Sequence, residues 1–199
     1  FYSATDADSP TPSGHSEEGW FFTWTPAELN ALVGESGLKF LRVVYGVTER
    51  GNFEGRNIFF RPQTLSESAR RLQQPLPVIQ ARLSRLKRIL YDHRLQRPPP
   101  ILDDKILTSW NGLMISAFAR AGRILNDKRY IEIAERAARF LIKNLQGASG
   151  RLKRTWRNGR SKLNAYLDDY AFFIAGLLDL FEATGQAFWL EKAIQLQTI

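Results

Sequence analysis

The chain has 199 residues, of which 44% are hydrophobic and 12% aromatic; that is enough to bury a sizeable core and too much for wholesale disorder. It has no cysteine, which excludes a disulfide framework, a cysteine-based zinc site and a CxxC redox centre within these residues. Its 28 basic and 20 acidic residues leave a net charge of +8, gathered mainly in two stretches, 82–97 and 151–162.

Residues 1–19 are rich in Ser, Thr, Asp, Pro and Gly and read as loop. They lack the basic and apolar regions of a signal peptide, and the chain opens on Phe1-Tyr2 without an initiator methionine. We therefore expect an internal segment of a longer, cytoplasmic protein. GWFFTW (19–24) reads as a short strand or a buried extended piece. Thr25-Pro26-Ala27-Glu28 is a capping box with proline in the first helical position, so a helix is expected over 26–33, stopped by Gly34. A second helix is expected over 36–45, ending at Gly46, followed by a polar loop over 46–57.

The pattern is helical from residue 65 onward. Ile79, Leu83, Leu86 and Leu90 recur at helical spacing, with arginines on the opposite face, and the prolines after Arg97 end this segment. Residues 108–125 form a helix apolar nearly all round, with Thr108 or Ser109 as its cap; 129–145 is amphipathic. Asn158-Gly159 marks a hairpin turn. Residues 169–183 are again apolar on all sides, and 187–198 amphipathic. None of the apolar runs approaches the ~18 residues needed to span a bilayer, and no membrane association is expected.

Thus LDDKILTSWNG (102–112) and LDDYAFFIAG (167–176) open two copies of one unit. Each has an acidic lead-in, an apolar helix, a polar turn and an amphipathic helix beginning on an aromatic residue. Gly112 aligns with Gly176, and Tyr130 with Trp189. Helical hairpins that cannot bury their own faces stack on neighbours. The apolar helices would form an inner ring and the amphipathic ones an outer ring. The expected fold is mainly α: a single partial toroid of helical hairpins over 1–199, loop-rich over 1–64 and helical over 65–199.

The blocks FYSATDADS, EGWFFTWTPAEL, YGVTERGNFEGRNIFFRP, LDDKILTSWNGLMISA and AYLDDYAFFIAGLLDL carry a resemblance. In order and over essentially the whole chain, they resemble the thioredoxin-domain-containing family that includes spermatogenesis-associated protein 20 and bacterial relatives. The resemblance implies an N-terminal thioredoxin-like domain, missing from these residues, followed by a six-hairpin (α/α)6 domain related to glycosidases and to N-acylglucosamine 2-epimerase.

Aspartates ahead of a helix ordinarily cap it and complement its dipole. Where two stand together, one carboxylate is left over. Glycoside chemistry needs a pair of carboxylates, so Asp103, Asp104, Asp168 and Asp169 are the candidate catalytic residues. Trp110, Asn111 and Tyr170 beside them, and Asp6, Asp8 and Glu18 near the N-terminus, are candidates for binding a carbohydrate or other polyhydroxylated ligand. The Asp pairs lack the spacing of a calcium loop, and no metal or cofactor is expected. His15 and His93 read as surface or structural residues and give no support to an epimerase. The basic stretches read as solvated faces, with nucleic-acid binding not expected. The alternative is a non-catalytic scaffold accompanying a thioredoxin-like domain. In either case the apolar flanks of an open toroid would favour self-association.

Overall fold

The computed structural model describes all 199 residues and divides them into two compact units, Thr5–Ile101 and Phe1–Ala4 with Leu102–Ile199. The two-residue strand β1 (Ala4–Thr5) lies where the chain passes from one to the other. Helices predominate, with short antiparallel sheets between them. No helix is long and apolar enough to cross a membrane.

In the unit Thr5–Ile101, residues read as loop form a hairpin. Strands β2 (Asp8–Pro10) and β3 (Ser16–Glu18) pair with Asp8 opposite Glu18. Polar residues on both strands hide the alternation that would announce them. Their turn is held by Thr11, whose amide and hydroxyl both donate to the His15 carbonyl. The aromatic run GWFFTW is a turn rather than a strand, and only Trp24 makes a strand-like bridge, to Asn57.

The reason is Arg97. Its guanidinium donates to the carbonyls of Trp20, Phe21 and Thr23 at 2.8, 3.2 and 2.8 Å, and stacks 4.1 Å from the Trp24 ring and 5.0 Å from Trp20. Those carbonyls curl around a cation instead of meeting a neighbouring strand. Arg97, expected on a wet helix face, is buried beyond the end of its helix. Glu28 balances it and also receives Arg56.

Helix α1 (Pro26–Tyr45) starts at the Thr25–Glu28 capping box and breaks at Gly34, whose φ of 69° and ψ of 172° leave the helical region. It is two helices in succession, as the glycine predicts, and it ends on left-handed Gly46. Helices α2 (Leu65–Arg71) and α3 (Leu76–Arg94) complete the unit. Ile79, Leu83, Leu86 and Leu90 are buried against Leu29, Phe40, Leu41 and Val44. Helices α2 and α3 therefore belong with the preceding residues, not with the hairpins that follow.

The second unit contains β4 (Leu102–Asp103), β5 (Ile106–Leu107), α4 (Thr108–Leu125), α5 (Lys128–Leu145), β6 (Lys153–Arg157), β7 (Arg160–Asn164), α6 (Leu167–Thr184) and α7 (Ala187–Gln197). Strands β6 and β7 join through Asn158-Gly159, both with positive φ (50° and 76°), the two-residue turn that the pair of residues predicts. Strand β5 adds to the free edge of β6.

Helices α4 and α6 run parallel. Going along both, Ser109 bonds Asp169, Ser116 bonds Asp179, and Arg123 bonds Glu182. Each is followed by its antiparallel partner, so α4–α5 and α6–α7 are successive hairpins of one stack. The crossing is set by the two aligned glycines. A methyl group on Gly112 would lie 2.5 Å from the Phe172 carbonyl carbon, and one on Gly176 would lie 2.7 Å from the Gly112 oxygen. Backbone touches backbone at this point, and no side chain fits. Behind it, Ile115, Ala119, Ala134, Leu141, Phe173, Leu177, Leu180 and Trp189 form the core.

Helices α4 and α6 are less enclosed than their all-round apolarity predicts, with Leu113, Met114, Phe172 and Leu178 about 40–50% exposed.

Gly112→Ala should destabilise the chain by about 1–3 kcal/mol despite alanine's better helix propensity, because the helices must separate to admit the methyl group. Gly147→Ala, whose methyl group would lie 3.6 Å from the Arg151 carbonyl oxygen, should be close to neutral when both variants are compared by urea unfolding. Burial raises the Glu28 carboxyl, but the Thr25 amide, Arg56 and Arg97 outweigh it and hold the group below its ordinary 4.5. Its contribution is therefore present above that value and lost as pH falls through the lower folded-state value. Protection factors of amides in the first turn of α1, measured against the intrinsic exchange rate at each pH, should fall below about pH 4.5, and less so in Glu28→Gln.

Candidate functional site

The N-terminal turn of α4 has no cap of its own. Leu107 occupies the cap position, and Thr108, in the first turn, donates its hydroxyl hydrogen to the Lys153 carbonyl at 2.6 Å. Neither Thr108 nor Ser109 caps the helix as the sequence suggests. The acceptor comes from the next hairpin. Asp169 Oδ1 accepts the Ser109 amide at 3.0 Å, while Oδ2 accepts the Tyr166 amide at 2.9 Å and Arg154 at 3.0 Å. One fully buried carboxylate thus binds the starts of both inner helices, satisfying amides that helical geometry leaves free.

Asp168, the other half of the pair, is partly exposed and reaches only Arg154, at 3.3 Å. Arg154 lies on β6, and its guanidinium sits 4.8 Å from the centre of the exposed Tyr166 ring. Desolvation works to lower its pKa, but the charges of Asp169 and Asp168 outweigh this and hold it above the usual arginine value.

The first Asp pair is placed differently. Asp103 lies on β4 and Asp104 in the turn before β5, so neither caps α4. Lys105 bonds Asp103 at 3.1 Å, and Arg157 bonds Asp104. Desolvation pushes the Asp103 carboxyl up, while Ser3 and Lys105 pull it further down, leaving it below its ordinary 3.8.

Asn111 is buried, and its amide is occupied by the Phe1 amino group, the Phe1 carbonyl and the Leu107 carbonyl. Tyr170 is partly buried, with its hydroxyl accepting the Leu152 amide at 2.9 Å. Trp110, in the first turn of α4, is 52% exposed. Asp6, Asp8 and Glu18 belong to the other unit. Asp8 faces Glu18 across the β2–β3 hairpin, and Asp6 accepts the Asp8 amide.

The structure therefore joins Asp168 and Asp169 through Arg154, and Asp104 to the same strand through Arg157. Arg154, Arg157 and Tyr166 are the residues that reasoning on carboxylates passes over. The signal for the two arginines lay in the acid-free basic run 151–162, read as solvated, and that for Tyr166 in its place directly before Leu167-Asp168-Asp169. All four aspartates are ion-paired with basic side chains, and at these helix ends Trp110 and Tyr166 are exposed and Asp168 partly so.

No protein-family model matches the chain. It is similar along its whole length to spermatogenesis-associated protein 20 from Homo sapiens, at 36% identity over 226 residues covering 99% of the chain, and from Rattus norvegicus, at 36% over 229 residues covering all of it. An uncharacterised protein of Caenorhabditis elegans is 32% identical over 226 residues. The chain spans 29% of the length of the two mammalian relatives and 31% of the nematode one.

Removing the buried carboxylate should cost far more than removing its exposed neighbour. Asp169→Ala leaves Arg154 short of its buried partner and strips the cap from both inner helices, an expected loss of about 3–5 kcal/mol. Asp168→Ala, at a partly exposed pair, should cost below about 1 kcal/mol. Guanidinium unfolding of the two variants side by side gives the comparison.

Proposed function

We propose that this chain, a homologue of about three-tenths of spermatogenesis-associated protein 20, contributes two successive hairpins to an (α/α)6 toroid. We read the N-terminal end of its inner helices as a binding surface for a carbohydrate or other polyhydroxylated ligand. The observation that carries this reading is the division of labour within the second Asp pair. Asp169 is consumed in structure, while Asp168 is partly exposed and touches only Arg154, close in sequence to the exposed Tyr166. A carboxylate beside an exposed ring is a combination that accepts sugar hydroxyls and stacks on a sugar face. Trp110, one residue after the amide that Asp169 caps, adds a second exposed ring.

In this reading Asp168 and Asp104 orient hydroxyl groups, and Arg154 and Arg157 hold them in place. Glycoside hydrolysis needs a pair of carboxylates free to flank the scissile bond, whereas each of the four aspartates is engaged by a basic side chain. Binding is accordingly the favoured half of the carbohydrate reading, and catalysis the less favoured one.

A second reading, a non-catalytic scaffold for a thioredoxin-like domain, is favoured by the one acid whose role is fully explained. Asp169 joins the two hairpins through the Ser109 and Tyr166 amides and Arg154.

The two readings separate by titrating the folded chain with a panel of mono- and oligosaccharides while following the Trp110 indole by NMR. The first predicts saturable shifts, with affinity falling about tenfold in Trp110→Ala and in Asp168→Asn. A flat response across the panel would support the scaffold.

A further inference from the structure

The three-stranded sheet β5–β6–β7 has two unlike faces. Residues alternate between them along each strand. On one face, Trp156 packs edge-on against Phe140 at 5.1 Å, and Arg154 reaches Asp168 and Asp169. On the other, the register sets Arg157 directly opposite Arg160 and Thr155 directly opposite Lys162. Continuing the β5–β6 register by one residue brings Lys105 into line with Arg157.

These residues line a concavity of about 580 Å³ made by Lys105, Thr155, Arg157, Asn158, Arg160 and Lys162. Two of the four cations are matched, Lys105 by Asp103 and Arg157 by Asp104. Arg160 and Lys162 have no ion-pair partner and are exposed.

A row of like charges across paired strands destabilises a sheet. Here the Asn158-Gly159 turn fixes the strands, so Arg157 and Arg160 cannot relax by a change of register. The repulsion falls if an anion sits between them. Two guanidinium forks and an ammonium group suit a tetrahedral oxyanion, which accepts several charge-assisted hydrogen bonds at once. No aromatic ring lines the concavity. It thus offers no stacking platform for nucleobases, and a compact anion fits it better than a polynucleotide.

We propose that this face of the β5–β6–β7 sheet binds a compact oxyanion, the phosphate or sulfate group of a small ligand, between Arg157, Arg160 and Lys162. Arg157 also pairs with Asp104 of the proposed saccharide surface, but Arg160 and Lys162 have no part in it, so the site does not rest on that reading and its ligand need not be a sugar.

The test is an NMR titration of the intact chain with inorganic phosphate and, separately, sodium sulfate, at about pH 7.5 and low salt. Amide shifts confined to Lys105 and Thr155–Lys162 should saturate. Arg160→Gln combined with Lys162→Gln should raise Kd about tenfold. Arg85→Gln combined with Arg88→Gln removes the same charge from exposed positions of α3 and should leave Kd unchanged. Saturation by phosphate alone assigns the site to phosphate esters, and saturation by sulfate alone to sulfate esters. Absence of saturation by either, or equal weakening in the α3 variant, overturns the proposal. So does a single-stranded oligonucleotide that binds the same residues far more tightly than phosphate and is released by salt, which would make the face a polynucleotide surface. The wild-type shift map carries the test even if the double variant folds poorly.

Discussion

The second unit depends on one carboxylate. Two parallel helices packed through glycines bring their N-termini together, and with them two sets of amides without helical partners. Asp169 resolves this from a single buried position, with one oxygen on each helix and Arg154 neutralising the charge. The geometry is mutually dependent. Without the Gly112–Gly176 approach the Ser109 amide would be out of reach, and without Asp169 the approach would bury uncapped amides beside an arginine left with only the partly exposed Asp168.

The other unit reaches a comparable solution with the charges exchanged. Arg97 is buried among carbonyls rather than amides and is sandwiched by Trp20 and Trp24, with Glu28 as its counter-charge. Glu28 also closes the capping box of α1, so a helix start and an aromatic turn share one anion. In both units a buried ion gathers backbone groups that regular secondary structure leaves unsatisfied. Apolar packing supplies the driving force, and the ion selects which arrangement of the packed elements is acceptable.

This distribution bears on function through what it leaves over. Asp169, Asn111 and Tyr170 are held by backbone groups, while Asp168, Trp110 and Tyr166 remain available at the same helix ends. The basic hairpin supplies cations to both sides of its sheet. On one side Arg154 meets Asp168 and Asp169, and on the other Arg160 and Lys162 have no ion-pair partner beside the matched Lys105 and Arg157. The chain matches 29% of the length of spermatogenesis-associated protein 20, so these features correspond to a minority of that protein's length.

The sequence by itself determined most of the secondary structure. Helix ends followed from the Thr25–Glu28 box, Gly34 and Gly46, the hairpin from Asn158-Gly159, and the repeated hairpins from apolar periodicity, because each of these is a local constraint on φ, ψ or on one buried face. It also marked the aspartate pairs as unusual. The tertiary structure decided what each charge does. Asp169 caps a helix sixty residues away, Arg97 turns an aromatic run out of a strand, and Asp103 and Asp104 lie too far ahead of α4 to cap it. Those outcomes depend on which backbone groups are brought within about 3 Å of a charge once helices pack, and no spacing along the chain encodes that distance.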